Sequence, residues 1–183
     1  MHEFAPATIT EVIKLLKKAP GKSCRLDAAP SAFVKLNAHL LAHPLTLLIN
    51  ASFSSGIFPA CFKFAHVTPV LKKLSLNRAE PGNYRPVSNL SFISKLTEKA
   101  VAIRLCKQIS AQNSLSQFQS AYRRGHSTET ALLRITSDIA AALDTGHLVV
   151  LVATDVSAAF ETINHRLLLK RLSAIGIHGK ALA

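Results

Sequence analysis

Stretches of helical period alternate along the chain with short apolar runs, and the clearest of these runs is Leu148 to Ala153. Six consecutive apolar residues rich in Val and Leu suit a buried strand, with Asp155 near the end where a sheet opens to solvent. Upstream, Ile9, Val12, Ile13 and Leu16 fall at i, i+3, i+4 and i+7 behind a Thr8 to Glu11 capping pattern. They predict an amphipathic helix ended by Pro20-Gly21. A second helical stretch is predicted from about Ser31 to Ser54, bent or broken at Pro44 and stopped at Gly56. Phe64 to Leu71 reads as a strand, which Pro69 places at an edge. The polar turn Asn77 to Asn83 then makes a hairpin. Helices follow at about Phe92 to Ile109 and Thr128 to Leu143, the latter closed by Gly146 before the strand that carries Asp155. A last helix covers about Ile163 to Ala174. No internal repeat or low-complexity tract interrupts this order.

A carboxylate held at a strand end is one way to present an oxygen ligand to Mg²⁺, which keeps several waters and takes one or two protein carboxylates. An Asp at a strand-to-helix junction also serves as an N-cap, and the stretch alone does not separate the two readings. Charge narrows the choice of partner. Lys and Arg number 22 against 10 Asp and Glu, a net +12 on 183 residues. Such an excess favours a polyanion, either nucleic acid or an acidic membrane surface. A membrane partner is the weaker option, because no apolar run approaches about eighteen residues and the N-terminus has no signal-peptide core. The three cysteines, Cys24, Cys61 and Cys106, lie far apart and form no CxxC pair. Neither a disulfide framework nor a zinc site is indicated, which fits a reducing nucleus or cytoplasm.

Pro20-Gly21-Lys22-Ser23 has the end of a phosphate-binding P-loop but not its beginning, since Leu16 stands where the first glycine is needed. The loop around Gln119 to Thr128 carries more. Ser127 or Thr128 can cap the helix that follows, and free N–H groups beside Arg123, Arg124 and His126 suit a phosphate.

Four ordered segments carry a resemblance. The string D-V-S-A-A-F-E-T-I-N-H from Asp155 is similar to the first catalytic motif of reverse transcriptases from non-LTR (LINE-type) retrotransposons. Thr68 to Lys73 (T-P-V-L-K-K), Asn83 to Leu90 (N-Y-R-P-V-S-N-L) and Phe118 to Leu133 agree in the same order. The resemblance spans roughly Ser23 to Gly179, and K-S-C-R-L-D-A-A-P at its start implies structural roles for Asp27 and Pro30. It implies an α+β fold: the fingers and the start of the palm of a right-hand polymerase, helix-rich with a short incomplete antiparallel sheet. Residues 1–22 are then a helical extension and residues 23–183 the partial polymerase domain.

The resemblance also implies roles for residues. Asp155 matches a catalytic, Mg²⁺-binding carboxylate. Lys72 and Arg85 match the fingers residues that grip the phosphates of a deoxynucleotide triphosphate, with Lys73 able to replace Lys72. Val156 and Phe160 fall in the nucleotide site, Phe160 where a ring under the deoxyribose would exclude a 2′-hydroxyl. Gln119, Lys73, Arg123, Arg124 and His126 fall where RNA template and DNA primer are contacted. In place of the usual Q-S-G-F-R-P-G-H-S-T, this chain has Ala121, Tyr122 and Arg124. Ala121 is the serious change if the backbone there needs positive φ or close approach of the template, since a Cβ then clashes.

Two-metal phosphoryl transfer needs further carboxylates, which the family supplies from a Y/F-A-D-D hairpin. None of the ten acidic residues here is adjacent to another, and Glu161 is not assigned a metal. The expectation is therefore a fragment of an RNA-directed DNA polymerase that is inactive alone, or a non-catalytic nucleic-acid-binding remnant. A phosphatase using Asp155 as nucleophile would want a second Asp where Ser157 stands. Oligomeric state is not readable from the sequence.

Overall fold

A computed structural model of the chain describes residues 1–156, 159, 160 and 162–183. Helix α1 (Ile9–Lys18) begins at Thr8, whose side chain accepts the Glu11 N–H at 3.2 Å. Its apolar stripe buries Val12 and Leu16 completely, while Ile9 at the first turn stays exposed. Helix α2 (Ser31–Leu36) follows Pro30, and α3 (Ala38–Ser55) continues almost at once.

The interruption between these two helices is at Asn37, not at Pro44 as the proline predicted. The Asn37 side chain donates to the Phe33 carbonyl at 2.9 Å, the oxygen that its own backbone N–H also reaches at 3.1 Å, and so closes the end of α2. Pro44 lies inside α3, where it removes one N–H. Gly56 ends α3 with φ +71, and a Cβ there would come within 3.1 Å of the Lys180 carbonyl oxygen. Both the left-handed backbone and the close approach require glycine at this position.

The core is the seam between α1, α3 and α4 (Phe92–Ala111). Helix α3 contributes Ala38, Ala42, Leu45, Ile49 and Phe53, and α4 contributes Phe92, Leu96 and Ala100. Full burial of side chains such as Leu16 and Ile49 stabilises by about 1.5–3 kcal/mol each. Polar clamps fix the chain around this seam. The Asn50 side chain accepts the Ala7 N–H at 2.7 Å and donates to the Ala7 carbonyl at 3.1 Å. The Lys35 ammonium donates to the Ala19 carbonyl at 2.7 Å, closing the end of α1. Asp27 accepts the Cys24 N–H at 2.7 Å and the Phe92 N–H at 2.5 Å, so it fixes its own turn and also caps α4. Pro30 stands at the N-cap of α2.

Strands β1 (Ala65–Leu71) and β2 (Tyr84–Leu90) form a two-stranded antiparallel hairpin with Pro69 opposite Pro86. The prolines are tolerable because each strand has a free edge. Helix α5 (Thr128–Asp144) starts at Ser127 with a reciprocal Ser127–Thr130 capping box, and Gly146 turns the chain after it with φ +77. Helix α6 (His165–Ala174) is capped by Asn164. Neither α5 nor α6 contains a buried residue.

The strand expected before Asp155 does not form. Residues 147–156 have no regular secondary structure, and Leu148 is 89% and Leu151 69% exposed. A buried strand needs neighbours for its N–H and C=O groups and a layer over its side chains. Among the described residues, β1 and β2 pair with each other and no strand pairs with this run. The fold is helix-rich α+β with a short antiparallel sheet.

Candidate functional site

The hairpin brings the first group of predicted residues together. Pairing of Val70 with Arg85 and Leu71 with Tyr84 leaves Lys72 at the first position beyond the ladder. Its N–H donates to the Asn83 carbonyl at 2.8 Å, and its ammonium donates to the Gly82 carbonyl at 2.8 Å. The Arg85 guanidinium donates to the Lys72 carbonyl at 3.4 Å. Lys72 and Arg85 are therefore held side by side by neutral oxygens. Neither has an ion pair among the described residues, and Lys73, the next residue, has no side-chain partner there. Three exposed cations without an ion pair among the described residues make an anion-attracting tip. The turn below is rigidified by Asn77, whose Oδ1 accepts the Ala79 N–H at 3.0 Å, and by Asn83, whose side chain donates to the Asn77 carbonyl at 2.8 Å.

The second group sits on the loop before α5. The Gln119 side chain donates to the Ala121 carbonyl at 3.1 Å, and Arg123 donates to the Ser116 carbonyl at 3.1 Å. His126 places Nδ1 3.1 Å from the Arg124 carbonyl. The Arg124 guanidinium has no partner among the described residues and is exposed. At the start of α5, a hydrogen bond from the Ser127 side chain holds the exposed Glu129 carboxyl below its usual range. Glu129 thus contributes negative charge at the helix end that the loop cations flank. Left-handed backbone falls at Tyr122, φ +60, and at Gly125, φ +76, and not at Ala121. Ala121 in place of a glycine therefore carries no left-handed strain, and the strain falls one residue later at Tyr122.

One member of this group is not evident from sequence. Arg134 on α5 stacks its guanidinium 4.8 Å above the Phe118 ring and donates to the Gln117 carbonyl at 3.3 Å. Its placement depends on the loop folding back against α5, for which a lone arginine on a helix gives no signal.

Asp155 forms the third group. Its Oδ1 accepts the Val156 N–H at 2.9 Å, and its other oxygen has no hydrogen-bond partner among the described residues. It caps no helix among the described residues, since the next one, α6, is capped by Asn164. Val156 is 66% and Phe160 74% exposed, so neither is a core residue. Ser157 and Glu161 lie outside the described residues. Among the described residues, no hydrogen bond or ion pair links Asp155 to the hairpin or to the loop. No group of three His, Cys, Asp or Glu side chains there is arranged to hold a metal ion. One free carboxylate oxygen fits a single ligand to Mg²⁺, not a complete two-ion site. No helix among the described residues is long and apolar enough to cross a membrane.

The chain is similar to known sequences over most of its length. Residues 71–182 match the family described as Reverse transcriptase (RNA-dependent DNA polymerase). Two similar proteins from Drosophila melanogaster are the probable RNA-directed DNA polymerases from transposon BS and from transposon X-element. The first is 30% identical over 176 residues, 93% of this chain and 19% of that protein. The second is 31% identical over 164 residues, 88% of this chain and 18% of that protein. The RNA-directed DNA polymerase from mobile element jockey of the same fly is 28% identical over 169 residues, 88% of this chain and 18% of its own length. The chain thus spans under a fifth of the length of these relatives.

Proposed function

Because this chain belongs to the reverse transcriptase family, we propose that it is the fingers and first palm segment of a right-hand RNA-directed DNA polymerase from a non-LTR retrotransposon. In this reading residues 23–183 are the partial polymerase domain, residues 1–22 a helical extension, and the working compartment the nucleus or cytoplasm. The observation that carries the proposal is the hairpin tip, where Lys72 and Arg85 are fixed on backbone carbonyls and have no ion pair among the described residues. A planar guanidinium fork beside an ammonium suits the triphosphate of an incoming deoxynucleotide. Lys73 extends the same charge toward template or primer.

On the loop, Gln119, Arg123, Arg124 and His126 contact the phosphates of RNA template and DNA primer. Asp155 is the residue that would hold Mg²⁺, with Val156 and Phe160 beside the nucleotide sugar. The chemistry supplied by Mg²⁺ at such a position is activation of the primer 3′-hydroxyl and stabilisation of charge on the departing pyrophosphate. The 183 residues contain no A-D-D motif to complete the carboxylate set. Alone they act as a basic nucleic-acid-binding segment rather than as a polymerase.

Filter binding of the chain to an RNA template annealed to a DNA primer tests this reading. Affinity should fall steeply with salt, with a log–log slope of several units for a handful of phosphate contacts. Binding that does not respond to salt contradicts it.

A further inference from the structure

The loop before α5 presents more than charge. Tyr122 holds a left-handed backbone conformation, φ +60, which costs energy for any residue with a Cβ. Strain of this kind at a non-glycine residue is characteristic of sites where side-chain placement matters. Its ring is 87% exposed and makes no ring contact or hydrogen bond among the described residues. Four residues earlier, Phe118 is also exposed, with the Arg134 guanidinium covering its ring. The unpartnered guanidinium of Arg124 and the half-buried Arg123 lie directly after Tyr122. An aromatic ring pushed into solvent and followed by cations matches one ligand chemistry: an unpaired nucleobase, for the ring, on a phosphodiester backbone, for the cations.

We infer that Tyr122 is a stacking platform for an unpaired base of single-stranded RNA, with Arg124 holding the adjacent phosphate. The inference rests on the reading of this chain as part of an RNA-templated enzyme, and it adds a preference for unpaired over paired template that phosphate contacts alone do not give. In a duplex, bases are already stacked on their neighbours and present edges rather than faces, so Tyr122 gains nothing from them. A single strand offers faces. No base edge is read by this arrangement, and the preference is independent of sequence.

The test uses the full 183-residue chain and fluorescence anisotropy with two labelled probes, a single-stranded RNA of mixed sequence and a blunt RNA hairpin whose paired strands are joined by a non-nucleotide linker. Tyr122→Ala should weaken binding to the single strand about tenfold, the size of one lost base–aromatic stack, and change binding to the hairpin less than about twofold. Tyr122→Phe keeps the ring and should bind like the parent, which separates loss of the ring from loss of the fold. Arg124→Ala should weaken both probes and lower the salt slope by about one. Equal loss on both probes for Tyr122→Ala, or no loss on the single strand, overturns the inference while leaving salt-dependent binding of the parent chain intact. Failure of the parent chain to bind either probe in a salt-dependent way overturns the underlying reading instead.

Discussion

Arg104 gives the sharpest test of how the chain holds together. Its guanidinium donates to both carboxylate oxygens of Glu11 at 2.9 and 3.0 Å, and to the carbonyls of Ala5, Pro6 and Ala100 at 2.5, 3.1 and 2.9 Å. It also lies 4.9 Å above the Phe53 ring. One side chain therefore ties the segment before α1, α1 itself, α3 and α4. Its side chain is 11% exposed and that of Glu11 27%, so water screens the pair only in part. Hydrogen bonds to charged groups contribute about 1.5–3 kcal/mol each but do not add, and a partly exposed pair falls short of the 3–5 kcal/mol seen for breaking buried ones. We expect Arg104→Ala to cost about 3 kcal/mol, read as a lower urea midpoint with unchanged slope by circular dichroism. Arg104→Lys, which keeps the charge but loses the planar fork, should recover less than half of that.

The same pair gives a pH signature. Arg104 holds the Glu11 carboxyl below its ordinary value of 4.5, first through the side-chain hydrogen bonds, against a smaller opposing effect of burial. A depressed carboxylate contributes stability that is present above the unfolded value and is lost as pH falls through the folded one. The parent chain should lose stability below about pH 4.5 more steeply than Arg104→Ala does. A loss under about 0.5 kcal/mol for Arg104→Ala, the range of ordinary surface changes, together with an unchanged acid limb, would refute the reasoning.

Asp27→Ala should lower stability by about 1–2 kcal/mol, because it uncaps α4 at Phe92 and frees the Cys24 N–H; an unchanged melting temperature would remove Asp27 from that role. Phe160→Val, placed in a completed polymerase carrying this segment, should raise ribonucleotide use while leaving deoxynucleotide use largely intact. Since Phe160 is 74% exposed, stability should move less than about 0.5 kcal/mol, and equal loss with both nucleotides would retire the gate. The 183 residues alone should not extend a primer, because one Asp155 does not hold two ions about 4 Å apart. Detectable incorporation that depends on Asp155 would contradict this.

The local elements were legible where the pattern and its punctuation agree. Thr8 and Ser127 each cap the helix that follows them, and Gly56 and Gly146 follow helix ends with positive φ, because caps and glycines act over three or four residues. The hairpin was visible for the same reason. Leu148 to Ala153 misled because an apolar run reports a demand for burial, not the presence of strands to meet it. Pro44 drew attention from Asn37, where the backbone leaves helical geometry at φ −95 and ψ 24 without any proline or glycine to mark it. In the candidate site, Lys72 and Arg85 were legible as a pair through the hairpin register. The Arg134–Phe118 stack and the Arg104–Glu11 tie were not, since both depend on how distant segments fold back on one another. Only the folded chain identifies Tyr122, and not Ala121, as a left-handed position in its loop.

The most direct test of the account is primer extension on an RNA template by a chimera in which this segment replaces its counterpart in the RNA-directed DNA polymerase of the fly transposon X-element. With the rest of the palm supplied by that protein, the chimera should incorporate deoxynucleotides in a Mg²⁺-dependent way. Asp155→Asn should lower the rate by at least about a thousandfold, the scale expected for removing a metal-holding carboxylate at a phosphoryl-transfer centre. A chimera that keeps its rate after Asp155→Asn would contradict the assignment of this segment as the first catalytic motif of a polymerase palm.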